Sequence, residues 1–191
     1  ATGSYALEDN ISGNDNTAFG YRALNENEVS DNTAFGSQAL DVNTTGTLNT
    51  AIGKDALGAN IDGVSNTATG YQALAFNENG EKNTATGFHS LRKSTGDYNT
   101  AFGSNALKHV TVGDNNTAVG KDAGLLRVGG SNHTGSDQGT FLGVGTKPLA
   151  NSGTNEIIVG YNTEGNGSNT ATWGNTNITD HYFTGNVRSG G

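Results

Sequence analysis

The chain has no cysteine and no methionine, one proline (Pro148) and one tryptophan (Trp173) in 191 residues. Without cysteine there is neither a disulfide scaffold nor a thiolate metal site. Large apolar residues are scarce as well. Leu, Ile, Val and Phe together number 35, or 18% of the chain, too few to fill an ordinary globular core. No run approaches 18 apolar residues, so no membrane-inserting helix is expected in this chain. Basic residues are few, 10 Lys and Arg against 18 Asp and Glu for a net charge of −8, which makes a nucleic-acid partner unexpected because a phosphate backbone needs clustered cations.

What fills the chain instead is 30 Gly, 26 Asn and 25 Thr, 81 residues in all, and they recur in register. Asn-Thr-Ala-x-Gly begins at Asn16, Asn32, Asn49, Asn66, Asn83, Asn99 and Asn116, in steps of 16 or 17 residues. Three positions after each Gly comes an Ala-Leu or Ser-Leu pair, which ends in Leu24, Leu40, Leu57, Leu74, Leu91 and Leu107. The seventh copy departs from this with Ala123-Gly124. A fixed period of this kind marks a repeat architecture. Sixteen or seventeen residues are too few for two packed helices, the glycine density disfavours helix, and Thr, Phe, Ile and Val in the x slot favour strand.

Each unit therefore reads as strand (NTAxG), bend, short strand (xxAL) and turn, one coil of a parallel β-solenoid. Turn segments such as Asn25-Glu26-Asn27-Glu28, Asn43-Thr44-Thr45-Gly46 and Asn77-Glu78-Asn79-Gly80 carry residues that tolerate positive φ. The Asn column is expected to form an amide ladder, each side chain donating to the next, and the Leu column to supply the core. In a strand Asn, Ala and Gly share one face while Thr and x share the other, and the sequence leaves open which face lines the coil. Such regular faces both need cover, which points to self-association about an axis parallel to the rod.

Residues 1–124 form the regular repeats, and the chain begins inside one, as expected of a piece of a longer fibrous protein. Residues 125–139 read as an insertion or irregular coil, because Gly143 follows Gly120 by 23 positions. Residues 140–191 read as terminal coils (Thr140-Phe141-Leu142-Gly143, Ile157-Ile158-Val159-Gly160, Asn169-Thr170-Ala171-Thr172-Trp173-Gly174) and a closing segment.

The NTAxGxxAL array resembles bacteriophage and prophage tail-fibre repeats, and is similar to the β-roll heads of trimeric autotransporter (YadA-like) adhesins. The passage Asn155 to Asn162, followed by Gly167 to Asn175, resembles the last coils of such fibres. The resemblance implies an all-β, left-handed parallel β-roll assembled as a side-by-side homotrimer. It further implies an extracellular location, on a virion or a bacterial surface, and attachment to a host-surface glycan or protein. The coil is longer than the adhesin type, and 125–139 has no counterpart in the pattern.

Catalytic signatures are weak. His89, His109, His133 and His181 have no ligand-like spacing. Glu26 and Glu28, or Glu78 and Glu81, lie on turns and could meet only by stacking, which puts Glu26 and Glu78 three coils, roughly 14 Å, apart and too far for a glycosidase pair. No catalytic residue, enzyme activity or resident metal is expected. Oxygen-rich turns at Asp15, Asp31 and Asp114 would suit a structural Ca²⁺, although such Asp residues also cap their own turns. Tyr21, Tyr71, Phe88 and Tyr98 occupy variable or turn positions and are the candidate sugar-stacking residues. Trp173, in an x slot, is expected to be packed. A polysaccharide-degrading spike and an ice-binding solenoid, the latter suggested by the Thr column (Thr17, Thr33, Thr50, Thr67, Thr84, Thr100, Thr117), are the alternatives to an attachment fibre.

Overall fold

The computed structural model describes residues 1–180. It is all-β, with no helix among the described residues, and its coils stack into a solenoid of about nine turns. Ten three-residue strands run in chain order: β1 (Thr17–Phe19), β2 (Thr33–Phe35), β3 (Thr50–Ile52), β4 (Thr67–Thr69), β5 (Thr84–Thr86), β6 (Thr100–Phe102), β7 (Thr117–Val119), β8 (Thr140–Leu142), β9 (Ile157–Val159) and β10 (Ala171–Trp173). Each pairs in parallel with the next, so the sheet order is the sequence order. The register matches slot to slot, with Thr17 opposite Thr33, Ala18 opposite Ala34 and Phe19 opposite Phe35. The nine steps between ten rungs, at about 4.8 Å each, span roughly 43 Å.

The strand face left open by the sequence is now assigned. Ala18, Ala34, Ala51, Ala68, Ala85, Ala101 and Ala118 are buried, and the Thr and x slots on either side of them point outward. Leu24, Leu40, Leu57, Leu74, Leu91 and Leu107 are fully buried with them, as are Ala23, Ala39, Ala56, Ala73 and Ala106, so the core is a file of Leu packed with two files of Ala. At about 1.5–3 kcal/mol per buried Leu side chain, this file is the main apolar stabilisation.

The second short strand expected over xxAL is absent. That stretch is a turn, because the residue two after each Gly and the Leu itself both take left-handed backbone, as at Gln38 (φ 59°) and Leu40 (φ 51°). Its main-chain groups still bond from coil to coil, for example Leu24 N–H to Ala39 C=O at 3.0 Å. A third left-handed residue precedes each Asn, as at Asp31 and Lys82. Three such bends per turn close a 16–17-residue coil. The Gly of NTAxG is required for a different reason. At Gly53 (φ 129°) an added Cβ would stand 2.5 Å from the Gly70 carbonyl oxygen of the next coil.

The break after Gly120 is a size exchange. In β8 the Ala slot holds Phe141, which is fully buried. Its ring occupies room that Asn and Leu fill elsewhere. A Cβ on Gly139, in the Asn slot, would lie 2.6 Å from Phe141 Cζ, and one on Gly124, in the Leu slot, 3.2 Å from Phe141 Cδ2. Gly124, Gly139 and Phe141 therefore form one compensating set. Within 125–139 only a short excursion leaves the wall, pinched where Leu126 bridges Asn132, and the chain is back in a coil position by His133, which is fully buried.

The last coil is shifted against the sequence frame. Ala171, Thr172 and Trp173 pair with Ile157, Ile158 and Val159, so Thr172 takes the inward slot and Ala171 an outward one. Trp173, expected to be packed, is about half exposed on the outer face. Of the closing segment, Ile178 to Gly191, the part from His181 onward lies outside the described residues.

Candidate interaction surfaces

The Asn column is continuous, and apart from Asn116 Nδ2, which donates to Asn99 Oδ1 at 3.0 Å, its chemistry differs from a side-chain ladder. The Oδ1 of Asn16, Asn32, Asn49, Asn66, Asn83 and Asn99 accepts the backbone N–H of the next Asn in the column at 2.9–3.0 Å, and Asn116 Oδ1 accepts Gly139 N–H at 2.8 Å. Each Nδ2 donates to a loop carbonyl one coil on, as Asn49 does to Gly63 at 2.8 Å. The amide thus ties a strand entry to the loop that precedes the following strand. Strand spacing matches the coil pitch, but the carboxamide is turned toward main chain because the backbone N–H there has no other partner.

A true side-chain amide ladder exists one column away, in segments read from sequence as turns. Asn43 Nδ2 donates to Asn27 Oδ1 and Asn60 Nδ2 to Asn43 Oδ1, both at 2.7 Å, and Asn77 Nδ2 donates to Asn60 Oδ1 at 2.9 Å. Each also bonds its own loop, as Asn43 does to Gly46 C=O at 2.7 Å. Asn27, Asn43, Asn60 and Asn77 are fully buried. None has positive φ, so they are held by hydrogen bonding and not by turn conformation. The signal was present, since Asn10, Asn27, Asn43, Asn60 and Asn77 recur at 16–17-residue steps. The same column continues as Ser94, Val110 and His133, all fully buried.

The outer strand face carries an apolar stripe. Phe19, Phe35, Ile52, Phe102, Val119, Leu142 and Trp173 all lie in x slots, between 36% and 53% exposed. Phe19 and Phe35 stack with ring centroids 4.7 Å apart. Only Thr69 and Thr86, in adjacent coils, interrupt the stripe before β8. The flanking Thr column is in register from Thr17 to Thr140, and Ile157 and Ala171 take its slot in the last two strands.

The four candidate sugar-stacking aromatics are all exposed, and the fold brings only two of them together. Tyr71 and Phe88 stack with centroids 5.4 Å apart and planes 14° apart. Tyr21 shares their column three coils away and meets Tyr5 edge-on at 5.8 Å. Tyr98 belongs to another column, where its hydroxyl accepts from Lys82 Nζ at 2.8 Å and its ring lies 4.8 Å from that ammonium. A depression of about 700 Å³ lies beside Trp173 and Tyr161 at the end of the rod.

The three aspartates considered for Ca²⁺ do not converge. Asp15 and Asp31 occupy left-handed bends, and Asp114 Oδ1 accepts the backbone N–H of Asp97 at 2.8 Å, a turn-capping role. Among the described residues no three His, Asp or Glu side chains are grouped to hold a metal ion. No protein-family model, curated protein or solved structure matches the chain.

Proposed function

We propose that this chain is the rod of a homotrimeric attachment fibre, of the phage tail-fibre or surface-adhesin kind, acting by binding and not by catalysis. The observation that carries the reading is the x-slot stripe. Seven large apolar side chains stand outside a coil whose own core is already complete, and they follow one line parallel to the rod. A long exposed apolar line, here broken only at Thr69 and Thr86 before β8, marks an interface. Three copies turned with their strand faces toward a common axis would cover the stripe of each, close the assembly and leave the loops outward. The left-handed coil and the extracellular setting come with the resemblance of the repeat. Display of three identical rods makes weak contacts to a surface glycan or protein additive, so attachment would depend on avidity.

Light scattering tests the assembly directly. Three chains of 19.5 kDa give about 58 kDa, and the double variant Phe35→Asp/Phe102→Asp should shift that mass toward the single-chain value with the β-rich circular dichroism retained. A wild-type mass of 19.5 kDa would refute the trimer. Retention of the trimer on host cells or their extracted polysaccharide, without release of reducing ends, supports attachment over degradation.

A further inference from the structure

In a chain of net charge −8, one surface runs against the prevailing sign. Arg92 and Lys93 follow Leu91, and Lys108 and His109 follow Leu107 one coil later. The bonds Phe76 N–H to Arg92 C=O and Leu91 N–H to Ala106 C=O, both 3.0 Å, fix the register. Arg92 therefore stands one rung, about 4.8 Å, from Lys108, and Lys93 one rung from His109. His89 lies two residues before Leu91. Like charges on adjacent rungs cost stability, yet nothing neutralises them. The ion pairs among the described residues are Arg22–Asp41, Lys121–Asp122 and Lys147–Glu164, and none includes Arg92, Lys93 or Lys108.

The side chains that Arg92 and His89 touch are polar but uncharged, or aromatic. Arg92 Nε donates to Gln72 Oε1 at 2.8 Å, and its guanidinium lies 4.7 Å from the centre of the Phe76 ring. The His89 ring is 3.8 Å from that of Phe88, which is stacked on Tyr71. His89 Nδ1 is buried without a hydrogen-bond partner. Burial lowers the pKa of both His89 and His109, and the charges acting on them are all positive: Lys108 and Arg92 on His89, and Lys108, Lys93 and Arg92 on His109.

We propose that Arg92, Lys93 and Lys108, with the Tyr71–Phe88 aromatic pair beside them, form a binding site for an acidic polysaccharide. The cations would pair with carboxylate or phosphate groups on successive sugars, and the stacked rings would take the apolar face of a pyranose. The cations follow the Leu column and the aromatic pair precedes it, two positions beyond the x slots, so the site does not use the residues of the outer strand stripe. It deepens the attachment reading, on which its biological use rests, by naming the ligand's chemistry.

The test is retention of the assembled protein on immobilised polygalacturonate (carboxylate) and on a phosphate-bearing mannan, with neutral dextran and single-stranded DNA as comparisons, at low and raised ionic strength. Wild type should be held by at least one acidic polysaccharide and not by dextran, and salt should release it. Arg92→Gln/Lys93→Gln/Lys108→Gln should weaken retention by about tenfold or more. Lys54→Gln/Lys82→Gln/Lys121→Gln removes the same charge from exposed lysines elsewhere and should change it less than about twofold. Circular dichroism and mass are checked for both. Equal loss in the two variants, equal retention on dextran, or binding to DNA alone overturns the site. Loss of polysaccharide binding in the first variant while whole-cell attachment persists keeps the site and assigns attachment elsewhere. Polysaccharide binding by wild type with no cell attachment keeps the site and refutes the attachment reading.

Discussion

Replacing Asn60 with alanine isolates the buried amide ladder. The side chain makes three hydrogen bonds: Nδ2 to Asn43 Oδ1 at 2.7 Å, Nδ2 to Gly63 C=O at 3.0 Å, and Oδ1 from Asn77 Nδ2 at 2.9 Å. Two of the three partners keep another bond, since Gly63 C=O still receives Asn49 Nδ2 and Asn77 Nδ2 still reaches Gly80 C=O. Asn43 Oδ1 alone is left buried with no donor. At about 1 kcal/mol net per lost bond, with the orphaned oxygen adding to that, the cost is about 3–4 kcal/mol. Asn60→Asp should be worse than alanine, because it keeps the shape while placing a carboxylate against the Asn43 oxygen. Asn79→Ala, at an exposed position in the next loop, should cost less than about 0.5 kcal/mol. The assay is urea unfolding followed by far-UV circular dichroism, compared at equal m-value. Coils couple to their neighbours, so one broken rung should lower the whole transition. The converse applies where the ladder stops. Asn77 Oδ1 and Ser94 Oγ are both buried without partners, so Ser94→Asn should gain about 1 kcal/mol. An Asn60→Ala cost under about 1 kcal/mol, or one no larger than that of Asn79→Ala, would refute the view that the inner amides hold the coils together.

Gly53→Ala should cost several kcal/mol, on the order of a severe core lesion, because φ is 129° and the new methyl would meet the Gly70 carbonyl oxygen at 2.5 Å. Gly130→Ala, where an added Cβ meets nothing within 4 Å, should be much milder; comparing the two melting temperatures checks this. His133 gives an acid-dependent term. It is fully buried, with Nδ1 2.8 Å from Gly124 C=O and Nε2 2.7 Å from Ser136 Oγ, and burial pushes its pKa below the usual 6.5 although the backbone bonds oppose this. The unfolded chain therefore takes up the proton first. The stability due to neutral His133 is complete above about pH 6.5 and is lost as pH falls from there toward the folded pKa. Unfolding midpoints at several pH values should fall more steeply on acidification in wild type than in His133→Gln, and identical slopes would remove the histidine from the account.

The parts of this architecture legible in the sequence were those encoded by identical residues at a fixed interval. The Asn16–Asn116 and Leu24–Leu107 columns and the parallel strands follow from period alone, because stacking in register is what a constant step produces. The inner column of Asn27, Asn43, Asn60 and Asn77 had the same interval, but local conformational preference offered a competing explanation, and asparagine in a loop reads first as a turn former. Left-handed backbone at Gln38 and Leu40 could not be inferred, because leucine ordinarily avoids it and only closure of the coil imposes it. Trp173 was read as packed because it fills an x slot, but the sequence leaves open which strand face is inner, and the Ala slot beside it proves to be that face. The cationic surface was hidden by the chain's overall acidity. Arg92-Lys93 and Lys108-His109 are 16 residues apart, and only the stacking of coils makes them neighbours.

The excursion pinched between Leu126 and Asn132 shows what the wall tolerates. The rungs before and after it, β7 and β8, remain paired in register, so the extra length is absorbed at one corner without being transmitted along the rod. That corner is a natural graft point. A foreign peptide spliced between Val128 and Ser131 would be carried on the flank of the rod like a tag on a rail, and in a three-chain assembly it would be presented in triplicate.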